Sequence, residues 1–206
     1  MKYQKKILEF ILLILIILII YLIKTEKIEM FDSFIYHYFS LGISDTTTSL
    51  YLFFTFLCSA ITMITITILC LLFFKNKKAA KLVLLNLINV IVLNQTMKAI
   101  FARERPNILM LIDEKGYSFP SGHAMTSTAV YGFFIYLIWQ SKMSNDKKIL
   151  STVLFGGLIF LICSSRIYLG VHYASDVVAG ILISTLYLMI YISLTKKYIE
   201  KDKTML

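Results

Sequence analysis

Six apolar runs, each about as long as a lipid bilayer is thick, limit what this chain can fold into. They lie at about Ile7–Ile23, Leu50–Phe74, Ala79–Phe101, Ala124–Gln140, Ile149–Leu169 and Val177–Leu194. About 20 apolar residues in a helix span the hydrocarbon core. In that solvent every backbone N–H and C=O needs an internal partner, so runs of this length are helices. The sequence therefore predicts an all-α polytopic membrane protein with six transmembrane helices. Charged residues make up 16% of the chain, against about a quarter in soluble domains. No soluble domain remains to carry a nucleic-acid surface, so the formal charge of +9 points elsewhere.

The lysines explain that charge. Those at 2, 5, 6, 75, 77, 78, 81, 142, 147, 148, 196, 197, 201 and 203 fall on one side of the alternating spans, fourteen of the 21 basic residues. Basic loops stay in the cytoplasm, which predicts an N-in/C-in topology. Residues 24–49, with Phe31, Phe34, Tyr36, Tyr38 and Phe39, read as an interfacial segment, and His37 reads as a surface histidine. The basic start followed by an apolar run lacks a small-residue cleavage pattern after it, so the first span is expected to remain as an anchor. Cys58, Cys70 and Cys163 sit in apolar runs and read as small buried residues. The chain is expected to form a single domain over 1–206, with anchor and interfacial segment at 1–49 and a catalytic core at 50–194. The sequence sets no oligomeric state.

On this topology the chemistry-bearing residues collect at one interface, the extracytoplasmic one. Lys98 ends the third span and leads to Arg105-Pro106. Pro120-Ser121-Gly122-His123 opens the fourth. Ser165-Arg166 ends the fifth, and His172 and Asp176 precede the sixth. Polar residues gather at helix ends for a plain reason, because charge near mid-bilayer costs a few kcal/mol. That reason does not select three cations, two histidines and an aspartate. His172 and Asp176 are four residues apart, close enough on a helix to share a face, so the carboxylate could fix the ring tautomer. A structural ion pair is the blander alternative. Pro120-Ser121-Gly122 at a helix start presents backbone N–H groups to an anion, although an ordinary helix cap has the same composition. Lys98, Arg105 and Arg166 suit a phosphoryl group and the charge that builds in its transition state. With two histidines, one can attack phosphorus and the other protonate the leaving oxygen. The Arg103-Glu104 pair and Asp113-Glu114-Lys115 read as solvated loop charge.

Lys98-x6-Arg105-Pro106, Pro120-Ser121-Gly122-His123 and Ser165-Arg166-x5-His172-x3-Asp176, complete and in order, closely resemble the three motifs of the type 2 phosphatidic acid phosphatases. That family shares a helical core with vanadium haloperoxidases, and the similarity covers roughly Leu50–Leu194. The resemblance implies a membrane lipid phosphatase in which His172 is the nucleophile, Asp176 orients it and His123 is the general acid. It implies that Lys98, Arg105, Ser121, Gly122 and Arg166 hold the phosphate, with no metal and no other cofactor. The implied partner is a lipid phosphate from the bilayer, of the undecaprenyl diphosphate, phosphatidylglycerophosphate or phosphatidic acid type. A lipid phosphotransferase would need the same residues. A transporter would place its charges near mid-span instead.

Overall fold

The computed structural model describes residues 2–200, the side chains of Lys2 and Glu200 excepted. Lys201 and Lys203, counted above with the cytoplasmic lysines, lie outside the described residues. The described chain forms eight helices: α1 (Lys2–Lys24), α2 (Glu29–Ser40), α3 (Asp45–Phe56), α4 (Ala60–Phe73), α5 (Lys77–Phe101), α6 (Gly122–Gln140), α7 (Asn145–Tyr168) and α8 (Ala174–Glu200). Among the described residues, α1, α5, α7 and α8 are long and apolar enough to cross a membrane. The pair α3 and α4 passes that test together, bent by 43°. By length and composition the count is thus four helices, or five with the bent pair, against the six expected.

Packing explains the shortfall. Helix α6 lies at the centre, against α5, α7 and α8. Ala124, Met125, Ser127, Thr128, Ala129, Val130 and Phe133 are all buried, so most of its circumference faces protein. A helix shielded from lipid can carry Ser127 and Thr128, and its hydropathy falls accordingly. Helix α1 is the opposite case. Only Leu12, Ile16 and Ile19 are buried, a single stripe, and most of its other apolar side chains are exposed.

The expected straight span Leu50–Phe74 is broken. Ser59 caps α4, its hydroxyl accepting from the Thr62 amide at 3.3 Å. The Tyr131 hydroxyl takes the carbonyl of Leu57, at 2.6 Å. With a cap and an outside donor both available, the backbone can stop and restart without an unpaired polar group. In the expected interfacial segment, α2 turns Asp32 inward and leaves Met30, Phe34 and Tyr38 exposed. His37 is exposed and all three cysteines are buried.

One end of the bundle carries the site. The C-terminal ends of α5 and α7 meet the N-terminal ends of α6 and α8 there. Close approach of α6 and α8 depends on Gly180, where a Cβ would stand 3.0 Å from Ala124 Cβ and 3.1 Å from the Ser121 carbonyl oxygen. At the opposite end Lys5 Nζ donates to the Met189 carbonyl at 3.3 Å, so the start of α1 lies beside the later turns of α8.

Candidate active site

The stretch 102–121 contains no regular element and joins α5 to α6. Unstructured connections of this length in compact domains usually serve function. Ala102 opens it in a left-handed conformation with φ of 45°. The site's own cations then tie it down. Arg105 Nε donates to the Gly116 carbonyl at 3.0 Å, Nη2 to that of Lys115 at 2.9 Å and Nη1 to that of Val171 at 2.7 Å. Lys98 Nζ donates to the Tyr117 carbonyl. Gly170, at φ +72°, packs so closely on the Leu109 carbonyl that a side chain there would collide with it.

Asp176 sits in the first turn of α8, but His172 precedes the helix. They meet because the chain turns back on itself, not because they share a helical face. His172 Nδ1 lies 3.6 Å from Asp176 Oδ2. The Tyr173 amide donates to that same oxygen at 3.0 Å, and the Ser118 hydroxyl donates to it as well. Ser118 Oγ is also 3.4 Å from His172 Nδ1. With Nδ1 on the acid side, Nε2 is the free edge, 3.5 Å from Arg105 Nη1. Burial is the largest influence on the ring and depresses its pKa to about 4; Asp176 works in the other direction, and Arg166 and Arg105 add to the depression.

A cavity of about 410 Å³ opens at this edge. His172, His123, Gly122, Lys98, Arg105 and Glu114 line it. Both histidines therefore face one space. Ser121 is the N-cap of α6: its hydroxyl accepts from the Ala124 amide at 3.5 Å, and its own amide donates to the Asp176 carbonyl at 3.2 Å. The helix cap weighed as the plain alternative is thus present; Ser121 itself is buried, and its neighbours Gly122 and His123 line the cavity. A Cβ on Gly122 would come within 3.1 Å of Asn94 Oδ1, so glycine there relieves helix packing as well.

Arg166 is 1% exposed. Its Nη1 donates to Thr55 Oγ1 at 2.6 Å and its Nη2 pairs with Glu114. Arg105 Nη2 lies 3.7 Å from the same carboxylate. The expectation that Glu114 is solvated loop charge is corrected: it is half-buried between two of the cations assigned to phosphate. Burial is the largest single influence and would raise its pKa, but Arg166, with Arg105 and His172 adding to it, makes the net shift downward. Arg103 is corrected too. Its Nη1 donates to Asp176 Oδ1 at 2.6 Å and its Nη2 to Asp32 Oδ2 at 3.1 Å. Glu104, Asp113 and Lys115 are exposed, as expected. Sequence reasoning missed Ser118, Asp32 and Glu114. Ser118 had one available signal, its place two residues before Pro120. The other two are brought in by tertiary folding. Among the described residues no group of three or more His, Cys, Asp or Glu is arranged to hold a metal ion.

Residues 78–200, more than half of the chain, match the sequence profile of the PAP2 superfamily. The chain belongs to the PAP2 superfamily. All three motifs of the candidate site fall inside the matched stretch. This PAP2 protein is 37% identical over 90 residues to phosphatidylglycerophosphatase B of Bacillus subtilis, covering 43% of this chain and 44% of that protein. It is 31% identical over 128 residues to an undecaprenyl-diphosphatase of Sulfolobus acidocaldarius, covering 59% and 58% respectively. The chain thus spans about half the length of the curated relatives it matches. Its fold resembles the crystal structure of a transmembrane PAP2 type phosphatidylglycerolphosphate phosphatase from Bacillus subtilis. The TM-score is 0.84, with 24% identity over 92% of this chain and 96% of that one.

Proposed function

We propose that this PAP2 protein is a metal-independent phosphatase of membrane lipids that works through a phosphohistidine at His172. The observation that supports this most directly is the shared cavity. Two histidines, His172 and His123, line it with three cations, Lys98, Arg105 and Lys115, while a buried carboxylate backs the first histidine.

The phosphoryl group takes the seat now filled by the Glu114 carboxylate, between Arg166 and Arg105. Lys98 and the backbone amides of Gly122 and His123 at the start of α6 complete the cradle, with Ser121 as the cap that holds that turn, its own amide being taken by the Asp176 carbonyl. His172 Nε2 forms the bond to phosphorus as the bond to the lipid oxygen breaks. His123 donates its proton to that oxygen. The neutral His123 then takes a proton from water, the water oxygen bonds phosphorus and the N–P bond breaks, releasing phosphate. Asp176 keeps the proton on Nδ1 throughout and stabilises the positive charge on the ring. Cationic side chains neutralise the phosphoryl oxygens, the task a divalent ion performs elsewhere.

The substrate class is a lipid phosphate monoester or diphosphate. The named relatives support phosphatidylglycerophosphate and undecaprenyl diphosphate as the first candidates. The reading includes six crossings, counting the bent pair α3 and α4 as one and α6 as another. It places both termini in the cytoplasm and the site at the outer face, in one domain whose core is 50–194. The alternation of lysines supports that orientation.

The test uses purified protein in detergent with a panel of lipid phosphates and diphosphates. Phosphate release is expected from at least one lipid and is expected to vanish in His172→Ala at unchanged thermal stability. Acid-labile radiophosphate is expected on wild-type protein quenched during turnover. Wild-type release by His172→Ala ends the nucleophile assignment.

A further inference from the structure

Asp32 lies outside the three motifs, Arg103 occupies one of the unspecified positions of the first, and neither lines the cavity. Arg103 bridges two buried carboxylates. Its Nη1 reaches Asp176 Oδ1 at 2.6 Å and Ser175 Oγ at 2.8 Å, and its Nη2 reaches Asp32 Oδ2 at 3.1 Å. Asp32, 4% exposed, accepts from the Ser175 amide and hydroxyl, each at 2.7 Å. The guanidinium carbon lies 4.0 Å from the centre of the Tyr173 ring. Every donor direction used thus points at α2 or at the first turn of α8. From this geometry we infer that Arg103 and Asp32 are positioning residues for the phosphoryl transfer: Asp32 on α2 fixes the Arg103 fork, and the fork fixes the carboxylate of Asp176 that orients His172.

The two oxygens of Asp176 have separate jobs. Oδ1 is held by Arg103. Oδ2 is left to the Ser118 hydroxyl, the Tyr173 amide and the imidazole edge. One prong of the planar Arg103 fork holds Oδ1 while the Tyr173 amide and Ser118 hydroxyl hold Oδ2, so rotating the carboxylate away from the ring breaks charge-assisted hydrogen bonds at both oxygens. Asp32 supplies the second anchor, without which the fork could swing. Charge follows the same layout. Asp32, Arg103 and Asp176 together carry one net negative charge next to the imidazole. The other charged or titratable groups facing His172 or sharing its cavity are Lys98 from α5, Arg166 from α7, Arg105, Glu114 and Lys115 from the 102–121 stretch and His123 from α6. Removing Arg103 leaves two carboxylates less balanced, and a protonated ring is favoured.

This inference rests on the nucleophile assignment above, and the experiment separates the two. Arg103→Met, Arg103→Lys, Asp32→Asn and His172→Ala are purified as full-length protein in detergent. They are assayed on a short-chain phosphatidic acid for kcat, KM, the acid limb of kcat/KM and thermal stability. For Arg103→Met, kcat is expected to fall about tenfold to a hundredfold, as for displaced catalytic groups. KM is expected within about twofold of wild type, because no substrate contact is lost. The acid limb is expected to move up by about half to one pH unit. Arg103→Lys keeps the charge, so its limb stays in place while kcat recovers only in part. Asp32→Asn lowers kcat less than Arg103→Met, at unchanged KM and without raising the limb. An unmoved limb in Arg103→Met, or a KM effect larger than the kcat effect, overturns the inference. If Arg103→Met fails to fold, an unchanged kcat in Asp32→Asn overturns it instead. An inactive His172→Ala beside fully active Arg103 and Asp32 variants sinks this inference alone, whereas an active His172→Ala sinks the nucleophile assignment first.

Discussion

At the scale of single residues, the site is a contest between burial and charge. His172 is 3% exposed, and the loss of water keeps the ring neutral over most of the pH range despite Asp176 beside it. The proposed role of His172 as nucleophile requires a neutral attacking nitrogen. Activity is therefore expected to persist on acidification and then to drop as His172 takes up a proton near pH 4, the protonated form being the inactive one. A kcat/KM profile on a lipid phosphate monoester reads this limb, and a limb above pH 6 attributable to His172 contradicts it. Glu114 is the second telling residue. Its carboxylate already holds Arg166 and Arg105, so in the proposed mechanism an incoming phosphate displaces it. Glu114→Gln removes the competing charge while keeping an acceptor for Arg166. Orthovanadate inhibition is expected to tighten about threefold to tenfold in that variant, the scale of one exposed-to-buried charge contact. Unchanged inhibition would show that Glu114 does not compete with the anion, and weaker inhibition that it helps the anion bind.

At the scale of elements, the site exists because four helix ends converge, and α6 and α8 converge because of glycine. Gly180→Leu is expected to force the two helices apart, as oversized core residues do at a cost of about 1–3 kcal/mol. The separation carries His123 away from His172, so phosphate release should fall further than thermal stability alone explains. Gly156→Leu is the control, since a Cβ there meets nothing within 4 Å. Equal behaviour of the two variants in a paired activity and melting assay rejects the role given to Gly180. The motif residues and their order along the chain were legible in the sequence. The element carrying His172 was not. A spacing of four suggested one helical face, yet the pair forms where the turn before α8 folds back under the Ser118 hydroxyl and the Tyr173 amide. Sequence spacing constrains distance only within a continuous helix.

At the scale of the whole molecule, topology decides which leaflet supplies substrate. On the proposed orientation, with the lysine-rich loops inside, Lys115→Cys is expected to react with a membrane-impermeant maleimide in intact cells. Lys78→Cys should react only after permeabilisation. The reversed pattern places the site on the cytoplasmic face. The three native cysteines are buried, which keeps the background low. Burial within the bundle also explains why hydropathy reads α6 weakly. A central helix is solvated by its neighbours, so its sequence need not resemble one that faces lipid.

The sequence by itself determined the helical class, the gathering of cations and histidines at one end, and the three motifs. Long apolar runs and charges that avoid hydrocarbon allow little else. Only the tertiary structure decided which charges are solvated and which are not. Arg103, Asp32 and Glu114 look like ordinary polar residues of loops and an amphipathic helix until folding pairs them with Asp176, Ser175 and Arg166. The physical reason is that a charge acquires its role from the partners that replace its water. Those partners come from segments 52–143 residues away along the chain.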